Sequence, residues 1–264
     1  MPKMRVNDIQ IYYEVHGEGF PLIMIMGLGG NIDWWDPRMI QELSKKFKTV
    51  MFDNRGAGRT DISDKKYTIR LFADDTAGLM DALGISRAHV LGISMGGMIA
   101  QELALNYPKK VEKLVLCSTT CGGAKSVLPS EEVMGILMAD RSTLSQKEVA
   151  KMTIPLVLTE DFAKKNPDLV ELMVQQILKA PISNEAFTWQ ANAIMEFDTH
   201  DRLPQIRAPT LILHGKQDIL LPPGNGSILA EAIPSAKHAY LEKSAHGLVE
   251  EMNEVINAII EFLD

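Results

Sequence analysis

The chain has 264 residues, 46% hydrophobic and 23% charged, enough for one large domain or two small ones, and at this size about 70–75% of the unfolded surface can be buried. With 27 Lys and Arg against 34 Asp and Glu the formal charge is −7, and no basic stripe stands against it, which argues against a nucleic-acid partner. No apolar run approaches the ~18 residues of a membrane span, and Met1 to Asp8 reads as no secretory leader, so a soluble, cytoplasmic protein without a membrane partner is expected.

Ile9 to Val15 alternates with a period near two, as a half-buried strand does. Leu22 to Met26 is a continuous apolar run ending at Gly27, and Thr49 to Phe52 is a third strand, ending in the turn-rich Asp53-Asn54-Arg55-Gly56-Ala57-Gly58. Ile69 to Leu83 has helical periodicity and stops at Gly84. Ala88 to Ile93 reads as a strand, Met95 to Tyr107 as a helix ended by Pro108, and Val111 to Cys117 as another strand. Cys117 and Cys121 have no second cysteine pair to complete a zinc site and read as reduced thiols beside that strand.

From about Thr119 to Leu203 the alternation gives way to helical patterns only: Glu131–Ala139, Gln146–Val157, Pro167–Lys179 and Asn184–Phe197, punctuated by Pro129, Pro155, Pro181 and Pro204. It resumes with a strand at Thr210–His214, a helix near Ser227–Ala232, a strand at Lys237–Leu241 and a terminal helix Leu248–Leu263. Strands alternating with helices predict a parallel sheet covered on both faces, with the helical block inserted in it.

Gly92-Ile93-Ser94-Met95-Gly96 lies between a predicted strand and a predicted helix. That is the context of a nucleophile elbow, where a strained turn lifts the serine above the sheet edge and needs small neighbours two residues either side. A serine hydroxyl is a poor nucleophile near pH 7 and needs a histidine base oriented by an acid. Asp218 follows the Thr210–His214 strand, at the edge where catalytic groups of open α/β sheets gather. Ser118-Thr119-Thr120 offers no rival acid after the preceding strand. Of six histidines, His246 lies past Asp218 in a strand-to-helix loop and is the expected base, whereas His214 reads as a turn-packing residue.

Acyl transfer also needs donors for an oxyanion. The Met95 N–H comes with the elbow, and the Leu28 N–H in Gly27-Leu28-Gly29-Gly30 is the expected second. Gly27-x-Gly29 followed by Asp53 mimics a dinucleotide fingerprint, but Ile32 occupies the position where its last glycine belongs.

These segments, in this order, resemble the α/β-hydrolase fold family over nearly the whole chain. The resemblance implies an eight-stranded, mostly parallel sheet flanked by helices, with a helical lid inserted after the sixth strand. The core is then residues 1–118 and 205–264, the lid 119–204, and Asp53 and Arg55 serve turn structure. Met26 stands before Gly27 where many members have histidine. Closer resemblance, through Ser94-Met95-Gly96-Gly97-Met98-Ile99, Tyr67-Thr68-Ile69 and Asp53-Asn54-Arg55-Gly56, is to small carboxylesterases, polyketide methylesterases and 3-oxoadipate enol-lactonases. Serine at position 94 disfavours the epoxide-hydrolase and dehalogenase branches, whose nucleophile is aspartate.

The expected activity is hydrolysis of a small-molecule ester through an acyl-enzyme on Ser94, His246 and Asp218. Enol-lactone hydrolysis, carbon–carbon bond hydrolysis and cofactor-free perhydrolysis share that triad, as does a small-molecule receptor that retains it. No metal or organic cofactor is implied, and both monomer and homodimer stay open. Trp34, Trp35, Met138 and Trp189 are expected at the substrate, with Phe187 and the methionines of the helical block split between pocket and core.

Overall fold

Eight strands form one sheet: β1 (Lys3–Val6), β2 (Ile9–His16), β3 (Phe20–Ile25), β4 (Phe47–Phe52), β5 (Ala88–Ile93), β6 (Val111–Cys117), β7 (Thr210–Gly215) and β8 (Lys237–Leu241). Their spatial order is β1-β2-β4-β3-β5-β6-β7-β8 in the computed structural model, which describes residues 3–264. The β1–β2 and β2–β4 pairs are antiparallel, and every later pairing is parallel. The chain runs from β3 outward to β4 and then back across to β5. The carboxyl ends of β3 and β5 therefore flank the switch point where open α/β sheets place their ligands.

Among the described residues ten α-helices follow in chain order: α1 (Pro37–Ser44), α2 (Ile69–Ala82), α3 (Met95–Asn106), α4 (Glu131–Leu137), α5 (Gln146–Val157), α6 (Glu160–Lys165), α7 (Pro167–Lys179), α8 (Asn184–Met195), α9 (Gly224–Ala232) and α10 (Met252–Leu263). Side chains alternate along the strands, so Ile23 and Ile25 join one apolar cluster and Leu22 and Met24 the opposite one. The first cluster is roofed by α2, α3 and α9, the second by α1 and α10. With both faces covered, the central strands read as unbroken apolar runs.

Helices α4 to α8 form the predicted block between β6 and β7, with its own small core of Ala150, Ile154, Leu158, Val174 and Ile177. Because β6 and β7 are neighbours, the block leaves and re-enters the sheet side by side. Its neck is closed by an antiparallel bridge between Gly122 and Asp198, with Gly123 N–H to Phe197 C=O at 3.0 Å and Thr199 N–H to Cys121 C=O at 2.9 Å.

Several boundaries depart from expectation. Pro155 does not separate helices: it lies inside α5, two residues before its last residue, Val157. Helix α9 begins at Gly224 rather than Ser227. The terminal helix starts at Met252, after a left-handed Leu248 (φ 57°) and a 3-10 turn, Val249–Glu251. Strand β1, α1 and α6 are additional elements; α1 carries the Asp36 cap and Pro37 at its first turn that would have announced it.

Arg55 fixes the turn after β4. Its buried guanidinium donates to both carboxylate oxygens of Asp75 at 2.7 Å and to Asp8 at 2.9 and 3.0 Å, tying α2 to the β1–β2 turn. Asp53 accepts the Ile32 and Arg59 N–H groups at 2.8 Å. Both cysteines are free and buried, and burial pushes the Cys117 thiol up to about 12, so it is unreactive.

Candidate active site

Ser94 joins β5 to α3 with φ 57° and ψ −123°, a conformation that costs energy for a non-glycine residue. The turn is held by Ser94 N–H to Cys117 C=O at 2.9 Å and by the Thr119 hydroxyl to the Ser94 carbonyl at 2.7 Å. Its glycines are sterically required: a Cβ on Gly92 would sit 2.2 Å from the Gly96 oxygen, and one on Gly96 would sit 2.0 Å from the Ile25 oxygen. The hydroxyl stands at the positive end of α3, where developing negative charge is favoured.

Asp218 and His246 come together 28 residues apart in sequence. His246 Nδ1 lies 2.8 Å from Asp218 Oδ2, both side chains being almost wholly buried. Asp218 Oδ1 accepts the N–H groups of Leu220 and Leu221 at 2.9 and 2.8 Å, which fixes the carboxylate plane. Burial opposes its charge, yet the His246 and His214 rings, by charge and hydrogen bond, outweigh it and hold the carboxyl at about 2. The ionised acid therefore accepts from Nδ1–H and leaves His246 Nε2 as the basic nitrogen.

His214 does more than pack a turn. Its Nε2 lies 2.7 Å from the Leu221 carbonyl oxygen and 3.3 Å from Asp218 Oδ2. Both are acceptors, so Nε2 carries the proton and faces the same carboxylate oxygen that His246 meets. The missed signal is its position four residues before Asp218, at the end of a buried strand.

The Gly27–Gly30 loop crosses directly over the elbow, where a Cβ on Gly27 would meet Ser94 Cβ at 3.0 Å. Gly29 N–H is taken by Gln190 Oε1 at 2.9 Å and Gly30 N–H by the Gly27 carbonyl at 3.2 Å. Among the described residues no protein acceptor takes the N–H of Leu28 or of Met95. Gln190 itself, on α8, also donates to the Arg55 carbonyl at 2.9 Å, so the helical block touches both the Gly27–Gly30 loop and the Arg55 turn through one side chain. 

Ser94, His246 and Leu28 line one cavity of about 220 Å³ between the sheet edge and the helical block. No hydrogen bond joins Ser94 to His246 here; such contacts tighten when substrate arrives. Trp34 and Trp35 line the cavity as expected, with Phe187 and Met173 of the block. Two expected residues do not. Trp189 faces the core, its ring 5.3 Å from Tyr67 in an edge-on contact, and Met138, at the exposed end of α4, is 54% accessible and outside the lining. Helical periodicity cannot say which of two apolar faces meets a cavity. Among the described residues no group of three or more His, Cys, Asp or Glu could hold a metal, and no helix is long and apolar enough to cross a membrane.

The sheet order, the elbow and the facing acid and histidine define the α/β-hydrolase class, and the chain belongs to that family: residues 21–251 match the α/β-hydrolase fold model. It is 31% identical over 263 residues to a protein of Azorhizobium caulinodans named as carbamate hydrolase RutD, covering 98% of this chain and 97% of the relative. Among solved structures it is similar to the enol-lactonase of Burkholderia xenovorans LB400, with a TM-score of 0.88 at 27% identity and 99% of each chain covered. A thermophilic esterase of Thermogutta terrifontis superposes with a TM-score of 0.85, also at 27% identity, over 100% of this chain and 98% of the other. The protein is a hydrolase of this fold.

Proposed function

We propose that the protein hydrolyses carboxylic esters through an acyl-enzyme, with Ser94 as nucleophile, His246 as base and Asp218 as the orienting acid. The observation that carries this reading is the 2.8 Å contact from His246 Nδ1 to Asp218 Oδ2 on the wall of the cavity that the Ser94 elbow enters. Ser94 Oγ attacks the ester carbonyl carbon while its proton passes to His246 Nε2. The Leu28 and Met95 N–H groups receive the oxyanion. Collapse breaks the bond to the alcohol oxygen, which takes the proton from His246. Water then attacks the acyl-enzyme, gives its proton to His246, and the acid departs as Ser94 regains its hydrogen. The helical block 119–204 serves as a lid that shapes the acyl and alcohol sites.

Lactone and carbamate carbonyls suit the same geometry, and the names of the enol-lactonase and carbamate-hydrolase relatives support including them as substrates. Ser94→Ala should lower kcat on p-nitrophenyl hexanoate by about 10⁴–10⁶. A fluorophosphonate should label one serine per chain, at Ser94. Peptide mapping of the label to Ser118 or Ser244 would refute the assignment.

A further inference from the structure

Three buried N–H donors on residues that line the cavity have no acceptor: Nε1 of Trp34, Nε1 of Trp35 and Nε of Arg141. Every unpartnered buried polar atom on a lining residue is thus a donor. Arg141 sits between α4 and α5 and is the one Lys or Arg among the lining residues. Its guanidinium carbon lies 3.8 Å from the centre of the Phe187 ring. Phe187 in turn reaches the oxyanion loop, its ring edge 3.3 Å from where a Cβ of Gly29 would stand.

A ring face attracts a cation without neutralising it, and arginine cannot shed its proton. No salt bridge joins Arg141 to a carboxylate among the described residues. The one carboxylate of the lining, Asp36, is committed to Arg38 at 2.6 Å and to capping α1. Burial acts on Arg141 with no acid to offset it, drawing its proton affinity down. A part-buried charge beside an apolar cavity is costly unless something pairs with it. Donors on the lining suit an acceptor-rich anion, and a planar guanidinium suits a carboxylate.

We propose that the substrate carries a carboxylate bound by Arg141, so that the class is half-esters, or lactones and esters of hydroxy acids, that keep one free acid group. This rests on the ester-hydrolase reading and adds to it the part of the substrate remote from the reacting carbonyl.

Two matched pairs test it. Mono-p-nitrophenyl adipate against p-nitrophenyl hexanoate puts the charge on the acyl side; 4-carboxyphenyl hexanoate against phenyl hexanoate puts it on the alcohol side. In at least one pair the anionic member should have a kcat/KM higher by about 10–100-fold, expressed mainly in KM. Arg141→Gln should bring that ratio to about 1, and Arg141→Lys should retain part of it. Fluorophosphonate labelling of Ser94 reports that each variant is folded. A neutral preference in both pairs, or an anionic preference that survives Arg141→Gln, overturns the proposal while leaving ester hydrolysis standing. Failure to cleave any of the four esters speaks instead against the hydrolase reading. Calorimetry on Ser94→Ala then decides the subsite alone: monomethyl adipate should bind at least tenfold more tightly than methyl hexanoate, and equal affinities overturn it.

Discussion

At the scale of single residues the site rests on where protons sit. Asp218 is held ionised by two imidazoles, one of which meets the cavity while the other is locked to the Leu221 carbonyl. His214 is a positioning residue in the proposed chemistry. His214→Phe keeps the ring volume and deletes the N–H, so kcat should fall about tenfold with KM little changed, while His214→Gln restores part of the loss. A change confined to thermal stability would make His214 purely structural. The proposed oxyanion donors are backbone groups, so Leu28→Ala should cost little, whereas Leu28→Pro removes the N–H and should lower kcat by roughly 10²–10³. Circular dichroism and labelling at Ser94 must show that variant folded; full activity in it would reassign the donor. With Gly29 N–H already committed to Gln190, the loop has no obvious substitute.

At the scale of elements, the helical block meets the core through hydrogen bonds such as Asn31 to the Ala180 carbonyl and Thr159 N–H to Glu250, and Gln190 is the side chain that bonds two core turns at once. It accepts from the oxyanion loop and donates to the Arg55 turn, from the middle of α8. Gln190→Leu should leave α8 packed yet free Gly29, lowering kcat about tenfold; an unaltered kcat would mean the loop holds its shape unaided. This is also where sequence reading reaches its limit. The placement of Ser94, Asp218 and His246 at one edge was legible because each follows a strand whose end the fold gathers there, and chain order then suggests the roles proposed for them. Gln190 was not, because its partners lie 161 and 135 residues away and nothing local distinguishes a glutamine that bonds backbone from one facing solvent. The place of Trp189, beside it, was illegible for a related reason: both faces of α8 carry aromatic side chains, and only packing against Tyr67 decides that Trp189 turns to the core and not to the cavity. Pro155 reads as a breaker because its missing N–H costs a helix bond, yet tertiary packing of Ile154 and Leu156 carries α5 through it.

At the scale of the molecule, buried titratable groups set how stability follows pH. His89 opens β5 between Phe20 and Phe47, with ring centroids 4.7 and 5.8 Å away, and burial holds its ring down to about 4. The unfolded chain takes up that proton near the ordinary value of about 6.5. Between the two values the unfolded state binds more protons, so the contribution is present above about 6.5 and lost as pH falls toward 4. Asp218, held at about 2, adds a second loss that begins below about 4 and grows toward 2. His89→Phe should therefore flatten the dependence of Tm on pH between about 6.5 and 4, and parallel slopes for the two proteins in that window would remove His89 from the account.

The neck at Gly122 and Asp198 has an evolutionary corollary. Because the chain departs from β6 and returns to the adjacent β7 through a closed base, everything between can be exchanged as a cassette without rethreading the sheet. Closing a longer or shorter loop at such a base changes the entropy only slowly with length. Substrate range can thus diverge while the hydrolytic edge is inherited intact. The exchange carries one condition: whatever helix replaces α8 must present an acceptor to Gly29 and a donor to the Arg55 carbonyl. A graft that ignores that pair inherits the Ser94 elbow with the Gly27–Gly30 loop beside it unmoored.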